Sequence, residues 1–227
     1  MAETKIQQGA PQAVDTISKN EDMILKYKNA IIGAVVILLV AVAGYFFWRN
    51  NRAETFEKAS TAMAKAQEYY SQAIISDDAE LFQKALNGDS INAGFLAVAN
   101  DYSGKAANVA TLYAGICQAR LGNMEEAAKL LEKYDGDDEM VSSQALAALG
   151  NVKAALGQLD EAVSILKKAA AKADNNALSP NMLIQAAEIL ESQGKKDEAL
   201  KIYEQIRDNY KEWLRNNEIE NYIERVK

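Results

Sequence analysis

The densest run of groups able to do chemistry is Asp135-Gly136-Asp137-Asp138-Glu139. Clustered carboxylates are hard ligands that suit Ca²⁺, but the spacing misses the calcium-loop pattern and no glutamate follows at its twelfth position. A solvated loop is the expectation, with no metal. Cys117, the only cysteine, lies among Ile116 and Ala119 with no neighbouring general base. It reads as a small buried hydrophobe and not as a reactive thiol. The chain has no histidine, which removes the commonest general base near neutral pH, the usual serine and cysteine triads, and the commonest metal ligand. Catalysis would need a perturbed carboxylate pair in a helical cleft, and no motif marks one. The expected function class is binding, with no cofactor and no small-molecule substrate.

The elements that must position a binding surface are helical. Of 227 residues, 49% are hydrophobic, enough for a packed core, and only 2 are Pro and 12 Gly, which favours helices over a turn-rich all-β fold. A net charge of −7 argues against nucleic acid, whose binding depends on Lys and Arg neutralising phosphates. From Ala53 onward acids outnumber bases, so this part should be repelled by anionic lipid and attracted to basic partners.

One helix has a different solvent. Ala30 to Trp48, "AIIGAVVILLVAVAGYFFW", carries no charge, and at about 1.5 Å per residue it spans roughly 28 Å, close to the hydrocarbon thickness. Lys26 and Lys28 flank one end, Arg49 and Arg52 the other, and Tyr45 to Trp48 form an aromatic belt. A cleavable signal ending at Ala41-Val42-Ala43 is the competing reading. The long polar leader and the bulky aromatics beyond that point favour a retained signal anchor. Lys19, Lys26 and Lys28 before the span balance Arg49, Arg52 and Lys58 after it, so charge does not orient it. Residues 1–28 read as a short polar tail, mostly disordered.

Beyond the span, three stretches are near copies: "LGNMEEAAKLLEKYD" from Leu121, "LGQLDEAVSILKKAA" from Leu156 and "QGKKDEALKIYEQIR" from Gln193. Their glycines, Gly122, Gly157 and Gly194, stand 35 and 37 residues apart, the period of a helix pair. Five residues on stands an alanine (Ala127, Ala162, Ala199), preceded by an acid, and four beyond it an apolar residue (Leu131, Leu166, Tyr203). Glycine can close a helix in the left-handed conformation, first-turn acids meet the next helix's positive end, and alanine allows close backbone approach. Seven residues before each glycine lie Gly115, Gly150 and Ala187, marking a tight crossing in the preceding helix. Each unit reads as helix, turn, helix. The pattern resembles the tetratricopeptide repeat family, whose small residue, turn glycine and second-helix alanine fall at Gly150, Gly157 and Ala162. Residues 144–177 match best, although the family's aromatic and proline positions are largely absent.

Such units need neighbours to bury their apolar faces. The predicted organisation is a transmembrane helix over 29–49, a linker helix and degenerate first repeat over 53–105, three repeats over 106–211, and a capping helix over 212–227. The fold class is all-α, a single N-terminal transmembrane helix followed by a tetratricopeptide-repeat-like α-solenoid. Some members of the family grip a C-terminal carboxylate with basic residues on the first helices. Here Asn151 does occupy one such place, but the preceding repeat offers Ile116 and Leu112 and the following one Asn181 and Gln185 where basic residues would be needed, so that clamp is absent. Repeat register points instead to a groove for an extended or helical polypeptide, lined by Leu112, Ile116, Arg120, Asn151 and Glu188.

The whole arrangement, from "KYKNAIIGAVVILLVAVAGYFFWRNNR" through "INAGFLAVANDYSGKAANVATLYAGICQARLGNMEEAAKLLEKYDGDD", resembles the bacterial YfgM family in its Bacteroidetes version. That resemblance implies an inner-membrane, single-pass protein with periplasmic repeats. Its partners would be the SecYEG translocon, a PpiD-like chaperone and exported polypeptides. A receptor or adaptor with cytoplasm-facing repeats is the alternative, because orientation rests on the resemblance alone.

Overall fold

A computed structural model describes residues 12–214 and 218–227, with eleven helices among them. The chain divides in sequence at Ala53 and Glu54 into two units, both of which helix α1 (Gln12–Ser76) enters. In the first unit, Ile37, Leu38, Val40 and Phe47 are between 63% and 78% exposed. Among the described residues no side chain covers this apolar surface, and the helix is long and apolar enough to cross a membrane. The predicted tail is helical from Gln12, because no glycine or proline interrupts the sequence from there to Gly33. The rest of that tail, residues 1–11, lies outside the described residues.

In the second unit, Ala59, Met63, Ala66 and Ala73 recur at helical spacing on α1 and are buried. They share a core with Phe82, Ala85 and Leu86 of α2 (Ala79–Asn87), Phe95 and Val98 of α3 (Phe95–Asp101), and Ala110, Ala114 and Cys117 of α4 (Lys105–Arg120). Asp78 starts α2 by accepting the Glu80 amide at 2.8 Å.

Three helix pairs follow: α4 with α5 (Met124–Lys133), α6 (Glu139–Ala155) with α7 (Leu159–Ala173), and α8 (Ser179–Ser192) with α9 (Lys196–Asn209). Each pair turns in the same way. Gly157 has φ +76, its amide donates to the Ala154 carbonyl at 3.0 Å, and the Gln158 amide donates to Lys153 at 2.9 Å. This double bond satisfies carbonyls that the helix end would otherwise leave open, and it recurs at Gly122 and Gly194. Ala127, Ala162 and Ala199 are fully buried. Within a pair the packing is close enough that a Cβ on Gly150 would stand 2.7 Å from Leu166 Cγ, and one on Gly115 would stand 2.9 Å from Leu131 Cγ.

Neighbouring pairs share cores. Leu112, Ala127, Leu131, Ala145, Leu149 and Val152 join α4, α5 and α6. Lys153, on α6 and only 9% exposed, reaches Glu132 of α5 at 2.7 Å and Glu161 of α7 at 3.3 Å, so one ammonium ties three helices. A further core runs from Leu166 and Ala170 through Leu190, Tyr203 and Ile206 to Ile219, Ile223 and Val226. The single helix expected over 212–227 is instead, among the described residues, α10 (Lys211–Leu214) and α11 (Ile219–Val226).

Candidate peptide-binding surface

The first helix of each pair, α4, α6 and α8, carries the residues expected to line a groove. Arg120, Asn151 and Glu188 are exposed, and Ile116 is half-buried against the core of α4 to α6. Leu112 is a correction, being 5% exposed and part of that core beside Val152. Core and groove residues on one helix are both apolar, and only the neighbouring helix decides which of them it covers. Arg120 turns toward the preceding elements, 3.8 Å from Asp77 and stacked 6.0 Å from the centre of the Phe82 ring. The five residues are therefore not gathered around one cavity.

The structure does gather a different set around Glu188. An open cleft of about 570 Å³ is bounded by Asn181, Ile184, Gln185 and Glu188 of α8, Trp213 of α10, Glu218, and Asn221 and Tyr222 of α11. The α8 wall is one stripe with helical spacing of three and four. Asn181 and Gln185 lie at the places where a carboxylate-gripping relative would need basic residues. The second wall escaped sequence reading, because nothing local says that α11 packs near α8. Glu218 accepts the Asn221 side-chain amide at 2.7 Å. Gln185 Oε1 is buried and accepts no hydrogen bond among the described residues.

Behind the cleft a charged cluster fixes α11. Arg225 donates to both oxygens of Glu191, at 2.9 and 2.7 Å, and lies 4.9 Å from the Tyr222 ring centre. The fully buried Tyr203 donates its hydroxyl to Glu191 at 2.5 Å. Burial alone would raise the Glu191 pKa, but the hydrogen bonds from Arg225 and Tyr203 and the charge of Arg225 together hold it below the carboxylate norm. Burial and the Glu191 carboxylate push the Tyr203 phenol upward.

Several of the other groups flagged for chemistry have structural roles. In the acidic loop, Asp138 caps α6 by accepting the Val141 amide at 2.9 Å, Asp137 pairs with Lys105 at 3.3 Å, and the Asp135 amide donates to Asn108. Cys117 is completely buried, and burial pushes its thiol up to about 12.

Residues 141–212 match a tetratricopeptide repeat family, and residues 110–134 match a second tetratricopeptide repeat family. Among solved structures, one similar chain is the crystal structure of a Podosopora anserina protein described by kinesin light chain nearly identical TPR-like repeats. The TM-score is 0.55 at 15% identity, over 75% of this chain and 85% of that one. At that identity the likeness shows the fold alone. No curated protein matches the chain. The repeats make the protein an interaction scaffold, stacked as an α-solenoid.

Proposed function

We propose that the protein is a non-catalytic scaffold tethered to the bacterial inner membrane by the apolar part of α1. In this reading it is an ancillary translocon subunit that passes exported polypeptides to periplasmic chaperones. The observation that carries it is the pairing, in one chain, of an uncovered apolar helix with a repeat array whose α8 row opens into a cleft of peptide scale. Tethering raises the effective concentration of a weak binding surface near the membrane, so modest affinity for many clients suffices. The resemblance to the YfgM family supports SecYEG, a PpiD-like chaperone and exported chains as the partners.

Photo-crosslinking side chains placed at Asn151 and Asn181 in growing cells test this. Adducts with translocon subunits, a PpiD-like chaperone or exported chains are expected, and adducts confined to cytosolic proteins overturn the role. The balanced charge flanking the span keeps one second reading, a receptor or adaptor with repeats in the cytoplasm. Protease added to intact spheroplasts separates the two. Digestion of the repeats supports the periplasmic role, and their protection supports the receptor.

A further inference from the structure

We infer that a small cleft bounded by α5, α6 and α7 docks an acidic segment of a partner protein, with one aliphatic side chain on the cleft's floor and the neighbouring carboxylate on Lys168 and Lys172. This surface involves the second helices of two pairs and goes beyond the proposed role, which rests on the row of first helices.

The cleft measures about 170 Å³, and its apolar floor is Leu131 of α5 with Ala145, Leu146 and Leu149 of α6. Small-molecule sites run to about 300–1,000 Å³, so the space suits a single side chain. Lys168 and Lys172 of α7, with Tyr134 and Asp135, add the polar part of the lining. The two lysines stand four residues apart on one helical face, where like charges repel, and no acid of α7 lies three or four residues from either. Lys58, Lys65, Lys84 and Lys129 each have such an acid and pair with it. The C-terminal end of α7 favours cations, but the helix dipole does not choose their face. Among the described residues, neither lysine nor the Tyr134 hydroxyl has an ion pair or hydrogen bond. The nearby acids are engaged elsewhere: Glu132 holds Lys153, Asp137 holds Lys105, and Asp138 caps α6. Asp135 is the one carboxylate of the described lining, against two ammoniums, so the cleft is a basic spot on an acidic array. The site is also built in advance. Ser142 donates to the Gly136 carbonyl at 2.7 Å, tying the loop to α6, and a Cβ on Gly136 would collide with the Tyr134 hydroxyl, so glycine leaves room for that ring. A carboxylate accepts charge-assisted bonds from both ammoniums and a further one from Tyr134, while an aliphatic side chain beside it covers the floor. The excess of acids over the rest of the array disfavours an anionic lipid surface as the occupant.

The test uses the full-length protein in detergent micelles and fluorescein-labelled short peptides that differ only in a central Leu-Glu-Glu, Leu-Gln-Gln or Ser-Glu-Glu. Glutamine keeps the shape and loses the charge, and serine removes the aliphatic anchor. Binding is read by anisotropy at low salt. The Leu-Glu-Glu peptide should bind about tenfold more tightly than Leu-Gln-Gln, the size expected of charge-assisted hydrogen bonds, and more tightly than Ser-Glu-Glu. Lys168→Gln combined with Lys172→Gln should erase the preference for Glu over Gln, while Lys201→Gln, exposed on α9, should not. Equal binding of the Glu and Gln peptides, or of the Leu and Ser ones, overturns the site. So does a preference that survives the double substitution or is lost equally in Lys201→Gln. Acidic-peptide binding that emerges only in Asp135→Asn protein makes Asp135 the lysines' own occupant and overturns the inference. Displacement of the peptide by phosphatidylglycerol doped into the micelles, or a dimer in sedimentation that the double substitution dissolves, gives the cleft to lipid or to a second copy and overturns it as well. Failure of every peptide to bind does the same, and none of these outcomes touches the scaffold reading, which stands or falls on adducts at Asn151 and Asn181.

Discussion

At pH 8 a thiol whose pKa is pushed up to about 12 is almost wholly protonated, and Cys117 has no exposed surface. Thiolate is the reacting species. Ellman's reagent should therefore leave the native protein unmodified and react once guanidinium unfolds it; prompt native labelling would contradict the buried placement. A second residue-scale expectation concerns Gly150, where an added methyl meets Leu166 at 2.7 Å in a fully buried contact. Gly150→Ala should destabilise by about 1–3 kcal/mol, as overpacking does. Leu166→Ala alone should cost about 2–5 kcal/mol as a cavity, but the double variant should lose less than the sum, by more than about 0.5 kcal/mol. Denaturant titration of the four proteins decides it, and strict additivity would show that the two sites do not touch. This contact was legible in the sequence, because Gly150 and Leu166 fall at fixed offsets from Gly157. Leu112 was not, since an apolar side chain on a first helix looks the same whether a neighbour covers it or not.

At the scale of elements, α11 is held by one acid that answers to two helices. Glu191 of α8 takes two bonds from Arg225 of α11 and one from Tyr203 of α9. Its folded-state pKa lies below the ordinary 4.5, so this contribution is fully present above about pH 4.5 and is lost as pH falls through the lowered value. The Tyr203 phenol is raised above 10.0, so its share is present below about pH 10 and fades as pH rises through the raised value. Glu191→Gln removes the charge and keeps the shape. It should flatten the acid limb of the stability curve between about pH 5 and 3, measured by thermal melts across pH. An acid limb as steep as the parent's would mean that other carboxylates carry it. The clamp was not legible from local pattern. Tyr203 was assigned from register as an apolar position and Glu191 was passed over, because their joint role needs α11 folded back upon α8 and α9. The separate start of α11 at Ile219 was hidden for a different reason: apolar Trp213, Ile219 and Ile223 sit among charges as on one amphipathic helix.

At the scale of the repeat unit, Glu54 to Lys227, the cores are successive and overlap only through shared helices. Leu112 and Leu131 belong to one, Tyr203 and Ile223 to the next. Stability in such a stack is a sum of unit and nearest-neighbour terms, so a local loss should stay local. A variant ending at Asn217 removes Ile219, Ile223 and Val226, each at most 4% exposed, and uncovers the faces of Tyr203 and Ile206. Burial of each lost side chain contributes about 1.5–3 kcal/mol, and the loss should fall first on the helices that contact α11. Hydrogen exchange read by mass spectrometry should show the amides of α8 and α9 exchanging faster, those of α6 and α7 less so, and those of α4 and α5 nearly as in the parent. A uniform acceleration from α4 to α9 would mean that the array opens as one cooperative block. No change in α8 and α9 would mean that α11 contributes nothing to the array. A graded profile would also explain why the near-identical glycine turns can be read from sequence while the cleft cannot: each turn depends on one helix pair, whereas the cleft exists only where α11 meets the last of the three.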